Sequence, residues 1–171
     1  AVAIANSGRP GPVLLDIPVN IQVEDVDPKK LIGFDGKVDD GPDFNSENEQ
    51  SLKEKIEQTL KLISQSKRPI ILLGGGIRLA KAEKEVLAFI EALDFPVVAS
   101  WSGFDALSHQ HPQFIGAIGG YGDRGANIAV QSSDLVISLG SRLEGRQTGG
   151  KVNTFARAAK KIVVDIDANE I

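Results

Sequence analysis

The sequence contains no cysteine and no methionine, and its 171 residues include only two histidines, one tryptophan and one tyrosine. The absence of cysteine excludes a disulfide framework, thiolate metal ligands and a cysteine nucleophile. The two histidines, His109 and His111, lie in one loop with Pro112, and histidine side chains in such a loop are more often solvated than bound to a ligand. We therefore expect no metal site in this chain.

Long apolar runs and an excess of basic charge are also missing. The longest apolar runs, such as 69–73 and 134–139, fall far short of the roughly 20 residues that a membrane-spanning helix needs. The formal net charge of -4 gives no basic surface for nucleic acid. The first residues carry neither an initiator methionine nor a basic leader, so we expect a segment of a longer protein without a signal peptide. Neither a membrane nor a nucleic acid is an expected partner.

The remaining composition, with 42% hydrophobic and 25% charged residues, is typical of a globular protein. The apolar run 13–17 predicts a strand buried on both faces, and such a strand needs neighbouring strands. Residues 24–50 hold nine acidic and three basic residues and predict a solvated acidic linker. Ser46 and Glu49 form a capping box, which predicts the start of a helix.

Beyond residue 50, helical spacing alternates with short apolar runs. Strands are predicted at 69–73, 96–100, 135–139 and 162–166. Helices are predicted at 52–66, 79–93 and 126–131, with a weaker one at 151–159, and a long glycine-rich connection follows residue 103. Uninterrupted apolar strands separated by helices indicate a parallel sheet that is covered on both faces. We therefore expect an α/β fold, a three-layer Rossmann-like parallel sheet with helices on both faces.

In open parallel sheets, ligands bind beyond the carboxyl ends of the strands, near the switch point in strand order. Four such ends carry glycine, small or acidic residues, at 74–77, 100–103, 140–142 and 165–167. The run Gly74-Gly75-Gly76 lacks the third glycine of a dinucleotide-binding fingerprint. A contact with a ligand and a tight strand-to-helix turn therefore explain it equally well.

Charged residues follow two of the later strands. Arg142 and Arg146 are flanked by glycine, and guanidinium groups suit phosphate by geometry and permanent charge. Two solvated arginines, bridged to Glu144, are the alternative. Asp165 could accept hydrogen bonds from ribose hydroxyls or could serve as a helix cap or solvent-facing carboxylate.

The single tryptophan and the single tyrosine are further candidates. Trp101 could stack on a flat ring or pack half-buried in the protein. Tyr121 lies among glycines, where it could stand over a bound cofactor. No nucleophile with a base can be assembled from the chain. The residues alone thus indicate a nucleotide-binding α/β module without catalytic residues.

Several motifs together resemble one enzyme family. They are residues 8–18 (Gly-Arg-Pro-Gly-Pro-Val-Leu-Leu-Asp-Ile-Pro), 69–77, 95–97, 126–135, 140–142 and 165–167. This set is similar to the large subunits of acetolactate synthase (acetohydroxyacid synthase), which are thiamine-diphosphate-dependent enzymes. The resemblance implies that residues 1–23 end the pyrimidine-binding domain and that residues 24–50 are the linker. It further implies that residues 51–171 form the central Rossmann-like domain, which binds a nucleotide or FAD, cut short at its C-terminal end.

The resemblance also implies the residues of a cofactor site. The central domain of this family binds FAD in some members, and ADP or nothing in others. The positions that match are Gly74, Gly75, Gly76, Ser100, Trp101, Gly120, Tyr121, Gly140, Ser141, Arg142, Glu144, Arg146, Thr148, Asp165 and Ile166. The chain departs from the family at Gly120 and Tyr121, where Met-His is frequent, and at Glu144, where aspartate is usual.

For the parent protein, the resemblance implies decarboxylation of a 2-oxo acid on thiamine diphosphate with transfer of the two-carbon unit, in branched-chain amino acid biosynthesis. Thiamine diphosphate and magnesium would be bound by the other two domains of the chain, in a cytoplasmic homodimer or homotetramer. The present chain would be inactive alone. One alternative is a purely structural central domain of another thiamine-diphosphate carboligase or decarboxylase, without a nucleotide. An NAD-linked oxidoreductase is a further alternative, which the incomplete glycine fingerprint disfavours.

Overall fold

The computed structural model describes residues 1–7, 10–37, 49–167 and 170–171. The chain divides into two compact units, Ala1–Asp43 and Phe44–Ile171. The first unit contains helices α1 (Val2–Asn6) and α2 (Val19–Gln22) and a 3-10 turn at Pro28–Lys30. The predicted strand at 13–17 is wrong, because these residues lie exposed in an irregular segment and no strand among the described residues pairs with them.

The second unit alternates helices and strands. Its strands are β1 (Pro69–Leu73), β2 (Val97–Ala99), β3 (Phe114–Ala117), β4 (Leu135–Leu139) and β5 (Lys160–Val164). Its helices are α3 (Glu49–Gln65), α4 (Gly76–Leu79), α5 (Glu83–Leu93), α6 (Arg124–Ser132) and α7 (Gly145–Thr148). The two strands with the longest apolar runs, β1 and β4, have the bounds that the sequence predicts.

The five strands form one parallel sheet in the order β3-β2-β1-β4-β5. The strand order reverses between β1 and β4, as in the doubly wound nucleotide-binding folds. Alternate residues of β1 enter different layers. Ile70 and Leu72 pack with α6 residues on one side, and Ile71 and Leu73 pack with residues of α3 and α5 on the other. The predicted three-layer α/β fold is confirmed.

Three observed elements differ from the prediction at a residue with a positive φ angle. Strand β3 lies inside the predicted glycine-rich connection and includes Gly116 at φ +144°. The predicted helix 79–93 begins only at Glu83, because Lys81 adopts φ +55° between the end of α4 at Leu79 and the start of α5. The predicted helix 151–159 is wrong. Only a 3-10 turn forms there, at Val152–Thr154, and it is followed by Ala156 at φ +42°.

Asp134 ties three elements together at the amino edge of the sheet. Its carboxylate accepts a hydrogen bond from the Ser66 hydroxyl and bonds of 2.9 Å from the backbone N–H groups of Lys67 and Arg68. The Ser66 hydrogen bond is the largest cause that lowers the pKa of Asp134 from 3.8 to about 2. This carboxylate therefore joins the end of α3 to the starts of β1 and β4.

Two further sequence-based expectations concern the ends of elements. The capping box at Ser46 lies outside the described residues, so its role at the start of α3 stays a prediction. Strand β5 ends at Val164, two residues earlier than predicted, so Asp165 and Ile166 follow the strand. Within the described ranges, no helix has the length and apolar character needed to cross a membrane.

Candidate functional site

The loops that follow β1 and β4 pack directly against each other at the switch point. The Gly74 N–H donates to the Leu139 carbonyl at 2.9 Å, and the Gly76 N–H donates to the Gly140 carbonyl at 2.9 Å. A Cβ atom on Gly76 would lie 2.8 Å from the Gly140 Cα atom, and Gly140 itself has φ +61°. Protein packing alone thus requires glycine at these positions, so their residue type does not by itself indicate a ligand.

A cleft of about 340 Å³ opens beside this junction, at the carboxyl edge of the sheet. Its walls come from the loops after β2, β3 and β4. The lining residues are Trp101, Ser102, Ile118, Gly120, Tyr121, Glu144, Arg146 and Gln147. Five predicted site residues therefore meet in one cleft, although they lie up to 45 positions apart in the chain. Ligand sites in parallel sheets lie at this edge.

Trp101 and Tyr121 are the two aromatic rings of the cleft, and both are exposed. Trp101 is 72% exposed and Tyr121 is 87% exposed. Their ring centroids are 6.3 Å apart and their planes are inclined at 67°, which is an edge-to-face arrangement. The chain has no other tryptophan or tyrosine.

Hydrogen bonds hold the loop that carries Tyr121. The Asn127 side chain accepts from the Gly119 N–H at 3.0 Å and donates to the Gly119 carbonyl at 3.0 Å. The Gly120 N–H donates to the Arg146 carbonyl at 3.1 Å. Asn127 is a supporting residue that the sequence reasoning did not single out, because an amide on a helix carries no signal of a loop eight residues away.

The Trp101 side of the cleft has its own internal support. Trp101 begins a 3-10 turn, Trp101–Gly103, and the Ser100 hydroxyl accepts a 3.2 Å hydrogen bond from the Gly103 N–H. Ser100 is completely buried. Its hydroxyl is also 3.3 Å from that of Ser102. The predicted site residue Ser100 therefore orients Trp101 and does not line the cleft.

The two predicted phosphate-binding arginines have different surroundings. Arg146 lines the cleft, whereas the Arg142 Nε atom lies 3.0 Å from a Glu170 carboxylate oxygen. Within the described ranges, neither the Arg146 guanidinium nor the Glu144 carboxylate takes part in an ion pair or a side-chain hydrogen bond. Of the two predicted arginines, only Arg146 therefore lines this cleft.

The other predicted site residues do not line this cleft. The buried Ser141 hydroxyl donates to the Gln147 side chain at 2.7 Å, and the Thr148 hydroxyl donates to the Glu144 carbonyl at 3.1 Å. The Asp165 carboxylate accepts from the Asp167 N–H at 3.0 Å, and Ile166 is exposed. No group of three histidine, aspartate or glutamate side chains gathers as a metal site in the described part of the chain.

A second, smaller cleft of about 250 Å³ adjoins the first. The two clefts share Gly120 and Gln147, and the second continues to Asn127, Thr148 and Phe155. Known ligand sites span about 300–1,000 Å³. The first cleft alone thus has room for one ring system, and a longer ligand would extend past Gly120.

Comparison with known proteins places the chain in a family. A family model described as "Thiamine pyrophosphate enzyme, central domain" matches residues 56–171. The whole chain is similar to a probable acetolactate synthase large subunit of Methanococcus aeolicus, with 37% identity over 28% of that protein. It is 36% identical to the acetolactate synthase isozyme 2 large subunit of Escherichia coli K12, over 29% of that protein. It is 38% identical to the chloroplastic acetolactate synthase 2 of Nicotiana tabacum, over 25% of that protein.

The chain belongs to the family of thiamine pyrophosphate enzyme central domains, since the match covers more than half of its residues. The predicted resemblance to acetolactate synthase large subunits is confirmed by these sequence identities. The chain spans between a quarter and three-tenths of the length of these relatives.

Proposed function

We propose that this chain is the nucleotide-binding central domain of an acetolactate-synthase-like enzyme, with FAD as its ligand and ADP as the smaller ligand that the same site would take. The observation that carries this proposal is the cleft at the carboxyl edge of the sheet. It combines two exposed aromatic rings with an Arg146 guanidinium that has no partner within the described ranges. Flat rings and phosphate are the chemical groups that such a cleft can hold.

The described residues fit the two parts of this ligand unequally. A ring has exposed aromatic surface to contact, at Trp101 and Tyr121. A phosphate has Arg146, but Arg142 would have to leave Glu170 before it could add a second guanidinium. We therefore assign the first phosphate contact to Arg146. The predicted contacts of Gly74, Gly75, Gly76, Ser141 and Asp165 with the ligand remain part of the proposal.

The proposal extends to the protein of which this chain would be the middle part. Residues 1–23 would end the preceding pyrimidine-binding domain, 24–50 would be the linker and 51–171 the central domain. The other domains would hold thiamine diphosphate and magnesium and would carry out 2-oxo acid decarboxylation and two-carbon transfer for branched-chain amino acid biosynthesis. We infer a cytoplasmic homodimer or homotetramer in which this chain binds the nucleotide, contributes to subunit packing and is inactive alone.

Replacement of Arg146 by alanine tests the phosphate assignment. Because a charge-assisted contact to phosphate is lost, the affinities for both FAD and ADP should fall about tenfold or more, as measured by calorimetric titration. Arg157→Ala is the matched control, since Arg157 is an exposed arginine that lines none of the described clefts. Equal affinities of wild type and Arg146→Ala would remove the phosphate assignment.

A purely structural central domain is the second candidate function. The observations that favour it are the closed packing of Gly74 and Gly76 on Gly140 and the ion pair between Arg142 and Glu170. In both cases, the groups that a dinucleotide would contact are already in contact with other parts of the protein. An absence of heat and of any shift in thermal midpoint with FAD and with ADP would favour this candidate over nucleotide binding.

A further inference from the structure

A separate cleft of about 540 Å³ lies at the amino edge of the sheet, opposite the edge that carries the site described above. It opens between the ends of α3 and α6 and the starts of β1, β2 and β3. This amino-edge cleft shares no lining residue with the two clefts at the carboxyl edge. Its volume falls within the range of about 300–1,000 Å³ that is typical of small-molecule sites.

The floor of the amino-edge cleft is apolar. Ile63 of α3 and Phe95, which precedes β2, line the cleft and also pack against the core on the α3 and α5 side of the sheet. Ile70 of β1 lines the cleft and is buried, whereas Ile115 of β3 stays 40% exposed. Covering exposed apolar surface with an apolar group is favourable. The floor therefore suits the apolar body of a ligand.

Two basic side chains line the same cleft without an ionic partner. The Arg68 Nε atom donates to the Ser132 carbonyl at 2.9 Å, which holds the guanidinium at the end of α6. Neither Arg68 nor Lys67 forms an ion pair in the part of the chain that the structure describes. The Asp134 carboxylate attracts Arg68, but it accepts its hydrogen bonds from Ser66 and from the backbone. The cleft thus presents two positive charges that an anionic ligand can neutralise.

An acidic side chain limits how much negative charge the cleft accepts. Asp94 lines the cleft, and its carboxylate accepts a hydrogen bond from the Gln113 side chain. Together with Arg68 and Lys67, it leaves the lining with one net positive charge, so one carboxylate is matched and a second is repelled.

These observations concern a site distinct from the nucleotide cleft, and they do not depend on the proposed function. We propose that the amino-edge cleft binds a small monocarboxylate, whose apolar body lies on the floor and whose carboxylate contacts Arg68 and Lys67. A guanidinium group can hold a carboxylate through two parallel hydrogen bonds, which are stronger than those between neutral groups.

Calorimetry and two-dimensional NMR of the backbone amides test this proposal in the 171-residue protein. The probes are sodium octanoate and sodium phenylbutyrate, which join one carboxylate to a linear or to an aromatic body. We expect at least one probe to bind and to shift the amide signals of Arg68, Ile70 and Ile115. Acetate lacks the apolar body and octanol lacks the charge, so both should bind at least about tenfold more weakly.

Variants of the two basic residues test the carboxylate contact. Arg68→Ala should lower the affinity for the probe about tenfold, because a charge-assisted hydrogen bond is lost, and Lys67→Ala should lower it by a smaller factor. Arg68→Lys keeps the charge and should keep part of the affinity. Lys84→Ala is the matched control and should bind like wild type, since Lys84 is exposed on α5 and lines none of the described clefts.

Several results would overturn the amino-edge site. They are the absence of binding by both probes, equal affinities for octanoate and octanol, and amide shifts at Trp101 and Tyr121 in place of those at Arg68 and Ile115. Wild-type affinity in Arg68→Ala and Lys67→Ala would overturn it as well. The Lys67 ammonium makes no hydrogen bond or ion pair within the described ranges, so Lys67→Ala should keep the wild-type thermal midpoint and supplies the test even where Arg68→Ala is destabilised.

Discussion

At the switch point, the presence of glycine does not by itself indicate that a ligand binds there. The sequence identifies Gly74, Gly76 and Gly140 as special, and the structure accounts for each by backbone contact between two loops. No pattern in the sequence distinguishes a glycine that lets a ligand approach the backbone from one that lets another loop pack against it. The distinction depends on strand order, which brings residues more than 60 positions apart into contact.

Replacement of Gly74 by alanine should destabilise the fold strongly. The added Cβ atom would lie well inside contact distance of the Gly140 carbonyl oxygen, so one of two buried strand ends must shift. We expect the free energy of unfolding in urea to fall by more than about 3 kcal/mol. Gly145→Ala is the control, since nothing lies within 4 Å of its Cβ position, and it should change stability by no more than about 1 kcal/mol. Similar values for the two variants would contradict the packing of these loops.

The aromatic and charged residues of the cleft could be foreseen only in part. The sequence indicates Trp101, Tyr121 and Arg146 as candidates, since each follows a predicted strand or lies among glycines. It does not show that Arg142 turns to Glu170, because Glu170 lies 28 positions away in the chain. The resemblance supplied the candidate residues, and the geometry separates those that line the cleft from those that do not.

Among the elements, the strands β1 and β4 were predicted with the correct bounds because each is a largely apolar run followed by glycine. Strand β3 was missed because it is short and contains Gly116, whose φ of +144° leaves the Asp123 carboxylate close to the backbone. The run 13–17 is nearly all apolar, like β1, but forms no strand. A buried strand depends on its neighbours, which a local pattern does not contain.

The Asp134 carboxylate gives the amino edge of the sheet a defined pH dependence. Its pKa is lowered to about 2 in the folded protein from 3.8, so the unfolded chain takes up the proton first as the pH falls. Its contribution to stability should be complete above about pH 4 and should be lost between about pH 4 and 2. Urea unfolding at a series of pH values should show this loss in wild type and a shallower pH dependence in Asp134→Asn. Parallel pH profiles for the two proteins would contradict the assignment.

For the whole molecule, exposure differs sharply between two described ranges. Every residue of 10–37 is exposed, whereas strands β1, β2 and β4 are buried along most of their length. Lys161 is exposed as well, but its backbone lies in strand β5 and pairs with Val136 of β4. Limited trypsin digestion should therefore cleave after Lys29, Lys30 and Lys37 before it cleaves after Lys161. Mass spectrometry of early fragments gives the order. Cleavage after Lys161 at the same rate would contradict the difference in protection.

The fold class followed from the sequence because patterning alone distinguishes a buried parallel sheet from other architectures. The function did not follow in the same way, since one fold supports many activities. The strand order and the cleft at the carboxyl edge point to one region, which lies within the residues that the family model matches. The chemistry of the ligand depends on the few side chains that line this cleft.

A crystal structure of the protein grown with saturating FAD is the most direct test of the central claim. The account predicts a planar ring of FAD in contact with Trp101 and Tyr121, and a phosphate oxygen within hydrogen-bond distance of the Arg146 guanidinium. FAD bound at another surface, or a cleft that stays empty at a concentration where FAD is bound in solution, would contradict it.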